Sequence, residues 1–298
     1  MSDLEPDFVV VSINAREHVN AARALHRLNL ATLCETPAAV DLPSMIEIWR
    51  LVEQGYRIQI AEQYLFQPMH AARLAIVASG KLGVVSSARV STAHGYHGIS
   101  LMRHFLGIGY EDATIRARRF VSPVIEGPDR SGPPKAERMV PATQLIGEVD
   151  FGERLGLFDF TDVQYWSYVR SHHVVIRGDR GEIADDEVRY LRDFRAPVVQ
   201  TLRRNDRGHH GDLDGYYLEG IIAGDDYAFR NPYRHARLMD DEIAIAVALE
   251  KMGAYARGQG PGPYSFAEGA QDQYLALMMS EAAQTGDAVR TSRQPWAG

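Results

Sequence analysis

Two histidines three residues apart, His94 and His97, with Tyr96 between them, are the side chains of this chain best suited to acid–base chemistry. An imidazole changes its charge near neutral pH, so it is able to hold or move a proton at a reacting hydroxyl. The ordinary alternative is that the pair caps a helix or lies on its surface, and the sequence leaves that alternative open. A metal site is not indicated, because no third ligand at a suitable spacing accompanies the pair.

A second group of chemically useful side chains lies between residues 158 and 173, where aromatic rings alternate with acidic and basic groups. Aromatic faces stack on the C–H surfaces of sugars, while arginine and aspartate bind hydroxyls or carboxylates. Tyr165 and Arg170 are therefore candidate substrate-binding residues. The alternative interpretation is that the aromatic residues form a strand that packs a core.

A third group consists of Glu62, Gln63 and Tyr64, which follow a short apolar run. In α/β proteins, ligands bind at the carboxyl ends of the strands, so Gln63 and Tyr64 are candidate ligand-binding residues. An ordinary turn at the edge of a sheet explains the same pattern equally well.

The elements that must position these residues begin with a strand–helix–strand pattern. Residues 8–11 form an unbroken β-branched run, which is typical of a strand buried on both faces of a parallel sheet. Helical spacing of apolar residues follows through residues 19–28, and residues 31–34 form a second apolar run. One such unit in fewer than 40 residues predicts a parallel sheet.

From residue 84 onward the pattern changes to strands separated by turns, which predicts mostly antiparallel pairing. We predict strands over residues 84–90, 114–120, 144–151, 155–160, 173–177 and 216–223, and helices over residues 240–255 and 266–284. Two glycine- and proline-rich or polar stretches, residues 122–141 and 203–215, are predicted to be loops. The predicted fold is α/β plus α+β: a partial Rossmann-like part over residues 1–65, then a larger open sheet with flanking helices over residues 66–298.

Composition excludes several classes of function. The formal net charge is −7 without a block of like charges, which argues against nucleic acid and anionic membranes as partners. The single cysteine, Cys34, excludes an internal disulfide and is typical of a reducing, cytoplasmic compartment. We interpret it as a small buried hydrophobic residue rather than a nucleophile.

Several stretches in the right order resemble the glucose-fructose oxidoreductase / inositol dehydrogenase (Gfo/Idh/MocA) family. His18 and Glu35 have the separation that the family shows between its Thr-Pro-Asn-x-x-His turn and its Cys-Glu-Lys-Pro strand end. Further stretches are similar to the family's Glu-Asn-Tyr strand end, its Ser-Gly-x-Leu-Gly turn, the segment with its active-site histidine and its last helix: residues 61–64, 79–83, 97–107 and 280–286.

The resemblance implies a nicotinamide-dependent dehydrogenase of sugars or polyols. It implies His97 as the catalytic residue, NAD or NADP as the cofactor and the open sheet as the surface of a homo-oligomer. The residues that it places at the cofactor are His18, Glu35, Thr36, Pro37 and Gln63. The residues expected at a small-molecule substrate are Tyr64, His94, Tyr96, Tyr165 and Arg170.

Two departures from the family pattern bear on activity. The chain contains no G-x-G-x-x-G turn, which in the family binds the cofactor pyrophosphate, so we expect the first half of the nucleotide-binding domain to be missing. Thr36 stands where the family has a lysine that assists proton transfer, and a threonine hydroxyl does not replace an amine at neutral pH. Ala93 and Ser100 replace two further acids that often flank the histidine.

Two functions therefore remain open. In the first, the chain is an NAD(P)-dependent oxidoreductase with altered catalysis, and family resemblance favours this interpretation. In the second, it is a non-catalytic module of the same family that binds a ligand or forms oligomers. The missing turn and the threonine favour impaired or altered chemistry.

Overall fold

The strand–helix–strand unit predicted at the start of the chain is present in the structure, a computed structural model that describes residues 5–298. Strand β1 (Phe8–Val11), helix α1 (His18–Arg27) and strand β2 (Ala31–Cys34) follow one another. The two strands pair in parallel, with Val11 opposite Cys34. The prediction of a parallel sheet at this place is confirmed.

A third parallel strand completes this small sheet. Helix α2 (Leu42–Glu53) begins after Asp41, whose carboxylate accepts a hydrogen bond from the backbone N–H of Ser44 at 2.9 Å. Strand β3 (Ile58–Ile60) then pairs with β2, which gives the order β1-β2-β3. Every residue of β2 and β3 is buried, as expected for strands covered on both faces.

The rest of the chain contributes four helices and eleven strands. The helices are α3 (Pro68–Ala78), α4 (Gly95–Leu106), α5 (Asp240–Ala256) and α6 (Phe266–Thr285). The strands before residue 180 are β4 (Val85–Ser91), β5 (Thr114–Ile125), β6 (Met139–Asp150), β7 (Leu155–Thr161) and β8 (His173–Gly178). The later strands are β9 (Gly181–Ala184), β10 (Glu187–Leu191), β11 (Pro197–Arg207), β12 (Tyr217–Ala223), β13 (Asp226–Arg230) and β14 (Val289–Arg290).

These elements belong to two compact units that alternate along the sequence. The first unit contains the described residues up to Ala72, together with Arg204–Tyr274 and Arg293–Gly298. The second contains Arg73–Arg203 and Leu275–Ser292. The predicted division into residues 1–65 and 66–298 stays a prediction.

In the first unit, α5 packs on the small parallel sheet. Met252 of this helix is fully buried against Ala31 and Leu33 of β2, and Tyr255 contributes to the same cluster. Strands β12 and β13 form an antiparallel hairpin with a bulge after Ile221. The small sheet is thus covered by a helix that lies about 200 residues further along the sequence.

The second unit is built on a mixed sheet with the strand order β11-β10-β9-β8-β4-β7-β6-β5-β14. All pairs are antiparallel except β4 and β7, which run in parallel. The predicted mostly antiparallel sheet is therefore confirmed. The parallel pair is possible because α4, β5 and β6 form a long connection between its two strands.

Helix α4 lies close to this sheet because small residues line the contact. A side chain at Gly98 would come within 2.5 Å of the Phe158 ring and 2.7 Å of the Ala93 carbonyl oxygen. Gly156 faces Met102 of the same helix in a similar way. The helix ends at Gly107, whose left-handed backbone (φ 64°, ψ 38°) is favourable for glycine.

The sequence prediction was wrong about the ends of the proline-rich loop. Strands β5 and β6 extend into residues 122–141, and Pro123 lies opposite Pro141 in their ladder. Proline lacks an N–H group, and it is tolerated where a strand has a neighbour on one side only. Beyond residue 115, β5 pairs with β6 alone, and β6 pairs with β7 only from Gln144 onward.

Strands β10, β11 and β13 were not predicted, because their sequences are rich in charged and polar residues. Strand β11 also extends to Arg207, into the stretch predicted to be a loop. No helix within residues 5–298 combines the length and the hydropathy that crossing a membrane requires.

Candidate functional site

The first candidate region is the corner that follows β2 and β3 in the first unit, which we define as residues 35–37 and 62–64. The strand ends are aligned: the N–H of Ala61 donates to the carbonyl of Cys34 at 2.8 Å, and the N–H of Glu35 donates to that of Val11 at 2.9 Å. The corner therefore lies at the carboxyl edge of a parallel sheet, where α/β proteins bind ligands.

Most predicted cofactor residues lie at this edge. Glu35, Thr36 and Pro37 are half-buried, with a cis peptide bond between Thr36 and Pro37. The N–H of Thr36 donates to the Glu35 carboxylate at 3.3 Å. Gln63 is also half-buried. Their roles at a cofactor stay predictions.

Two further first-unit residues were singled out from the sequence. His18, at the start of α1, is only 2% exposed, and neither of its ring nitrogens has a hydrogen-bond partner. A buried polar group without a partner costs free energy of folding, so this ring is a natural place for a ligand to supply one. Tyr64 is half-buried, and its ring centroid is 6.3 Å from that of His70.

Cys34, at the end of β2, has the properties of a buried structural residue. Burial raises the pKa of its thiol from 9.0 to about 12, and the neighbouring Glu35 carboxylate acts in the same direction. The reactive species of cysteine is the thiolate, so this side chain is unsuited to nucleophilic chemistry at neutral pH.

The second candidate region is the histidine cluster of the second unit, which we define as His94, Tyr96, His97 and Tyr165. Helix α4 begins here: His94 is its N-cap in an extended conformation, and the N–H of His97 donates to the His94 carbonyl at 3.1 Å. His97 is 6% exposed, whereas His94 is exposed. The structure thus brings together four residues that are up to 71 positions apart in the sequence.

Tyr165 fixes His94 from two sides. Its hydroxyl oxygen accepts a hydrogen bond from the backbone N–H of His94 at 3.0 Å and lies 2.7 Å from Nδ1 of the same residue. The rings of His94 and His97 are 5.0 Å apart and nearly perpendicular, and Tyr96 lies 4.4 Å from His97 on another side. A hydroxyl and two imidazoles in one contact group form an arrangement suited to holding and moving a proton.

A buried glutamine anchors the loop that carries Tyr165. The amide nitrogen of Gln164 donates to the carbonyls of Ser91 at 2.8 Å and Ser171 at 2.6 Å, while its oxygen accepts from the N–H of Thr161 at 3.0 Å. The loop is therefore tied to both β4 and β7. Gln164 is 4% exposed, so these bonds are shielded from water.

A cavity of about 400 Å³ opens next to His94 on the helix-bearing face of the sheet. Its floor is apolar and aromatic, with contributions from Leu145, Phe158 and Phe160. Polar groups stand around this floor: His94, Tyr165, Arg119, Thr143 and Asp162. An aromatic floor with a few polar groups is typical of small-molecule sites.

The cavity separates the predicted substrate residues of the second unit. His94 and Tyr165 line it. Tyr96 and His97 do not line it, and their rings contact the ring of His94. Arg170 does not line it and donates to the Val169 carbonyl at 3.3 Å.

Sequence reasoning missed Arg119, Thr143 and Asp162 as individual candidates. Alternation along β5 and β6 is the signal that could have placed the first two on one face, but it does not reveal which strands are neighbours. No group of three or more His, Cys, Asp or Glu side chains within residues 5–298 is arranged to hold a metal ion.

Comparison with known proteins places the fold. The sequence matches no protein-family model, and it matches none of the curated protein sequences at a significant level. Solved structures do match over almost the whole chain. An oxidoreductase from Agrobacterium radiobacter, solved in complex with NAD⁺, L-tartaric acid and magnesium, is 16% identical with a TM-score of 0.64, covering 97% of this chain and 81% of its own.

Two further structures agree with this match. Levoglucosan dehydrogenase in complex with NADH and levoglucosan is 17% identical with a TM-score of 0.65, over 96% of this chain and 80% of its own. Aldose-aldose oxidoreductase from Caulobacter crescentus, complexed with glycerol, is 14% identical with a TM-score of 0.60, over 97% and 81%. These neighbours are Gfo/Idh/MocA-type oxidoreductases, so the fold that the sequence resemblance implied is confirmed.

Proposed function

We propose that this chain is an NAD(P)-dependent oxidoreductase that acts on a hydroxyl group of a sugar, a polyol or a related hydroxy compound. The observation that carries the proposal is the histidine cluster beside a cavity with an aromatic floor, in a chain with the fold of NAD-binding oxidoreductases. Fold alone does not define an activity, whereas the side chains of a site do.

In this proposal, His97 holds or moves the proton of the substrate hydroxyl, and NAD or NADP, when bound, supplies the hydride acceptor. His94 and Tyr165 line the cavity and orient the substrate. Because His97 is buried behind His94, its ring is shielded from bulk water, which strengthens its interactions with polar groups nearby. The aromatic floor formed by Phe158 and Phe160 would contact the C–H face of a sugar ring.

The corner of the first unit fits the cofactor in part. His18 has two buried ring nitrogens without partners, and Glu35, Thr36, Pro37 and Gln63 surround the carboxyl edge of the sheet. These residues would hold the nicotinamide side of the molecule. The glycine-rich turn that usually binds the pyrophosphate does not occur in this sequence.

A specific observation favours the alternative function, a binding module without catalysis. Thr36 stands at the position of the proton-transferring lysine in the corner, and the chain has only three lysines, Lys81, Lys135 and Lys251. None of the three lies in the corner or in the histidine cluster. A ligand-binding role would need the cavity but not the amine.

Cofactor binding and turnover separate the two functions. We expect NADH or NADPH to raise the melting temperature of the full chain, because a ligand that binds only the folded state stabilises it. We also expect turnover of a panel of sugars, polyols and hydroxy acids, followed by nicotinamide absorbance. A folded protein that shows neither response is a binding module.

Replacing each histidine separately tests the assignment of the proton. His97→Ala should lower kcat by about 100-fold or more, as expected when a general acid–base group is removed. His94→Ala should raise KM more than it lowers kcat, because His94 lines the cavity. The reverse pattern would assign the proton to His94, and retained turnover in both variants would reject the role of the cluster.

A further inference from the structure

Arg119 brings a positive charge to the cavity beside His94. It lies on β5 opposite Leu145 of β6, which in turn lies opposite Phe160 of β7. Residues opposite one another in a ladder point to the same face, so these three side chains form one row across the cavity wall. Thr143 and Asp162 form the next row, joined by a hydrogen bond from the Thr143 N–H to the Asp162 carboxylate at 3.1 Å.

The guanidinium of Arg119 has no carboxylate partner within residues 5–298, although the cavity also contains Asp162. Two other arginines of the same sheet are paired with a neighbouring strand. Arg89 contacts Asp159 at 2.5 Å, and Arg116 contacts Glu148 at 3.5 Å. An arginine that lines a cavity without an ion pair keeps its donors available for a ligand.

Guanidinium groups bind carboxylates through two parallel hydrogen bonds, which is a stronger and more specific contact than either group makes with a neutral hydroxyl. We propose that the cavity beside His94 selects a hydroxy compound that carries a carboxylate, such as a sugar acid, and that Arg119 binds this carboxylate. The inference deepens the proposed function, since it names the substrate class of the same site.

The other groups of the cavity complete this assignment. A carboxylate that approached Asp162 would be repelled, so the acid group of the ligand must lie towards Arg119. The Asp162 side chain and the Tyr165 hydroxyl are suited to bind hydroxyls, and the aromatic floor to contact a carbon skeleton. The protein as a whole has a formal charge of −7, so attraction of an acid depends on a local positive group.

Direct binding measurements test the inference without requiring turnover. We would titrate the full chain by calorimetry with matched pairs that differ in one carboxylate: D-glucuronate against D-glucose, D-galacturonate against D-galactose, and L-threonate against L-threitol. In at least one pair the acid should bind about tenfold more tightly than the neutral compound, as expected for hydrogen bonds to a charged group. Its affinity should fall as sodium chloride is raised.

Two variants of neighbouring residues locate the effect. Arg119→Gln removes the charge and should weaken binding of the preferred acid about tenfold, while the neutral partner changes by less than about twofold. Arg118→Gln is the matched control, because residue 118 points to the opposite face of the same strand. It removes the same charge from the protein and should leave both affinities unchanged.

The outcomes separate this inference from the proposed function. Equal binding of acid and neutral compounds, no binding of any acid, or an equal effect of the two variants would overturn the role of Arg119, even if the protein oxidises a neutral sugar. Acid binding that depends on Arg119 supports the inference even if no nicotinamide cofactor binds, a result that would reject the oxidoreductase alone.

Discussion

The corner of the first unit and the histidine cluster of the second differ in what their side chains are able to do. The corner follows buried parallel strands, and it presents a carboxylate and a threonine. The thiol of Cys34, which directly precedes it, is buried, and its raised pKa keeps it protonated. The cluster joins two imidazoles to a tyrosine hydroxyl beside a cavity. Imidazole groups are therefore present in the second region and absent from the corner residues 35–37 and 62–64.

Because of this difference, we expect the two regions to respond differently to substitution. If the corner lacks only an amine for proton transfer, then adding an amine there should increase activity. Disturbing the support of the cluster should instead cost both stability and activity. Raising the pH above 9 should lower the free energy of unfolding through the buried thiol of Cys34, which precedes the corner.

The largest effect is expected from Thr36→Lys. Residue 36 is half-buried at the carboxyl edge of the sheet, and an amine there would gain a lowered pKa from partial burial and take part in proton transfer. We expect kcat to rise about 100-fold over a weakly active native protein, measured by nicotinamide absorbance with its best substrate.

Thr36→Arg is the control for this gain. It adds the same positive charge, but a guanidinium stays protonated and does not exchange a proton near neutral pH. An equal gain in both variants would assign the effect to charge alone. No gain in Thr36→Lys would show that an amine at residue 36 takes no part in proton transfer.

A smaller effect is expected from Gln164→Leu, which removes the support of the histidine cluster. Four side-chain hydrogen bonds disappear, and the carbonyls of Ser91 and Ser171, the hydroxyl of Ser91 and the N–H of Thr161 lose a partner. We expect the free energy of unfolding to fall by about 2 kcal/mol, measured by denaturant titration. KM should also rise, because the same loop carries Tyr165.

Gln144→Leu provides the comparison for this variant. Gln144 lies on β6 of the same sheet, is half-buried and makes one hydrogen bond, to the Asp159 carboxylate. Its replacement should cost less than about 1 kcal/mol. Similar losses in the two variants would contradict the idea that Gln164 is a specific anchor of the cluster.

The elements of both regions were predicted from local sequence patterns. The apolar runs of β1 and β2 and the helical spacing of α1 decide their structures almost alone. The prediction that residues 8–11 are buried on both faces was wrong, because β1 is the edge strand of the small sheet and Val10 is 48% exposed. A short window of sequence contains such an unbroken apolar run, or the 3.6-residue period of a helix.

The cavity could not be predicted in this way. It depends on the pairing of β5, β6 and β7, which places Arg119 in one row with Leu145 and Phe160. It also depends on Tyr165, which meets His94 across 71 residues of sequence. Register and long-range contacts follow from the packing of the whole sheet, so Arg119 had no local signal to distinguish it from Arg118.

The smallest effect is expected in the pH dependence of stability, to which Cys34, the residue before the corner, contributes. In the unfolded chain the thiol loses its proton near pH 9, whereas burial in the folded state raises its pKa to about 12. The folded state therefore binds this proton more strongly, and the resulting stability is fully present below pH 9 and is lost as pH rises towards 12. Each pH unit in this window should cost about 1.4 kcal/mol of the free energy of unfolding.

Denaturant titrations at pH values between about 8 and 10 measure this slope, and Cys34→Ala is its control. The variant lacks the thiol, so it should lose less stability over the same interval, and the difference between the two proteins isolates the contribution of Cys34. Tyr56, whose pKa burial also raises to about 12, remains in both proteins, so the burial part of its contribution cancels; the smaller part that comes from the Cys34 charge is removed with the thiol. Equal slopes would mean that the thiol of Cys34 ionises as readily in the folded state as in the unfolded chain, and burial would then not raise its pKa.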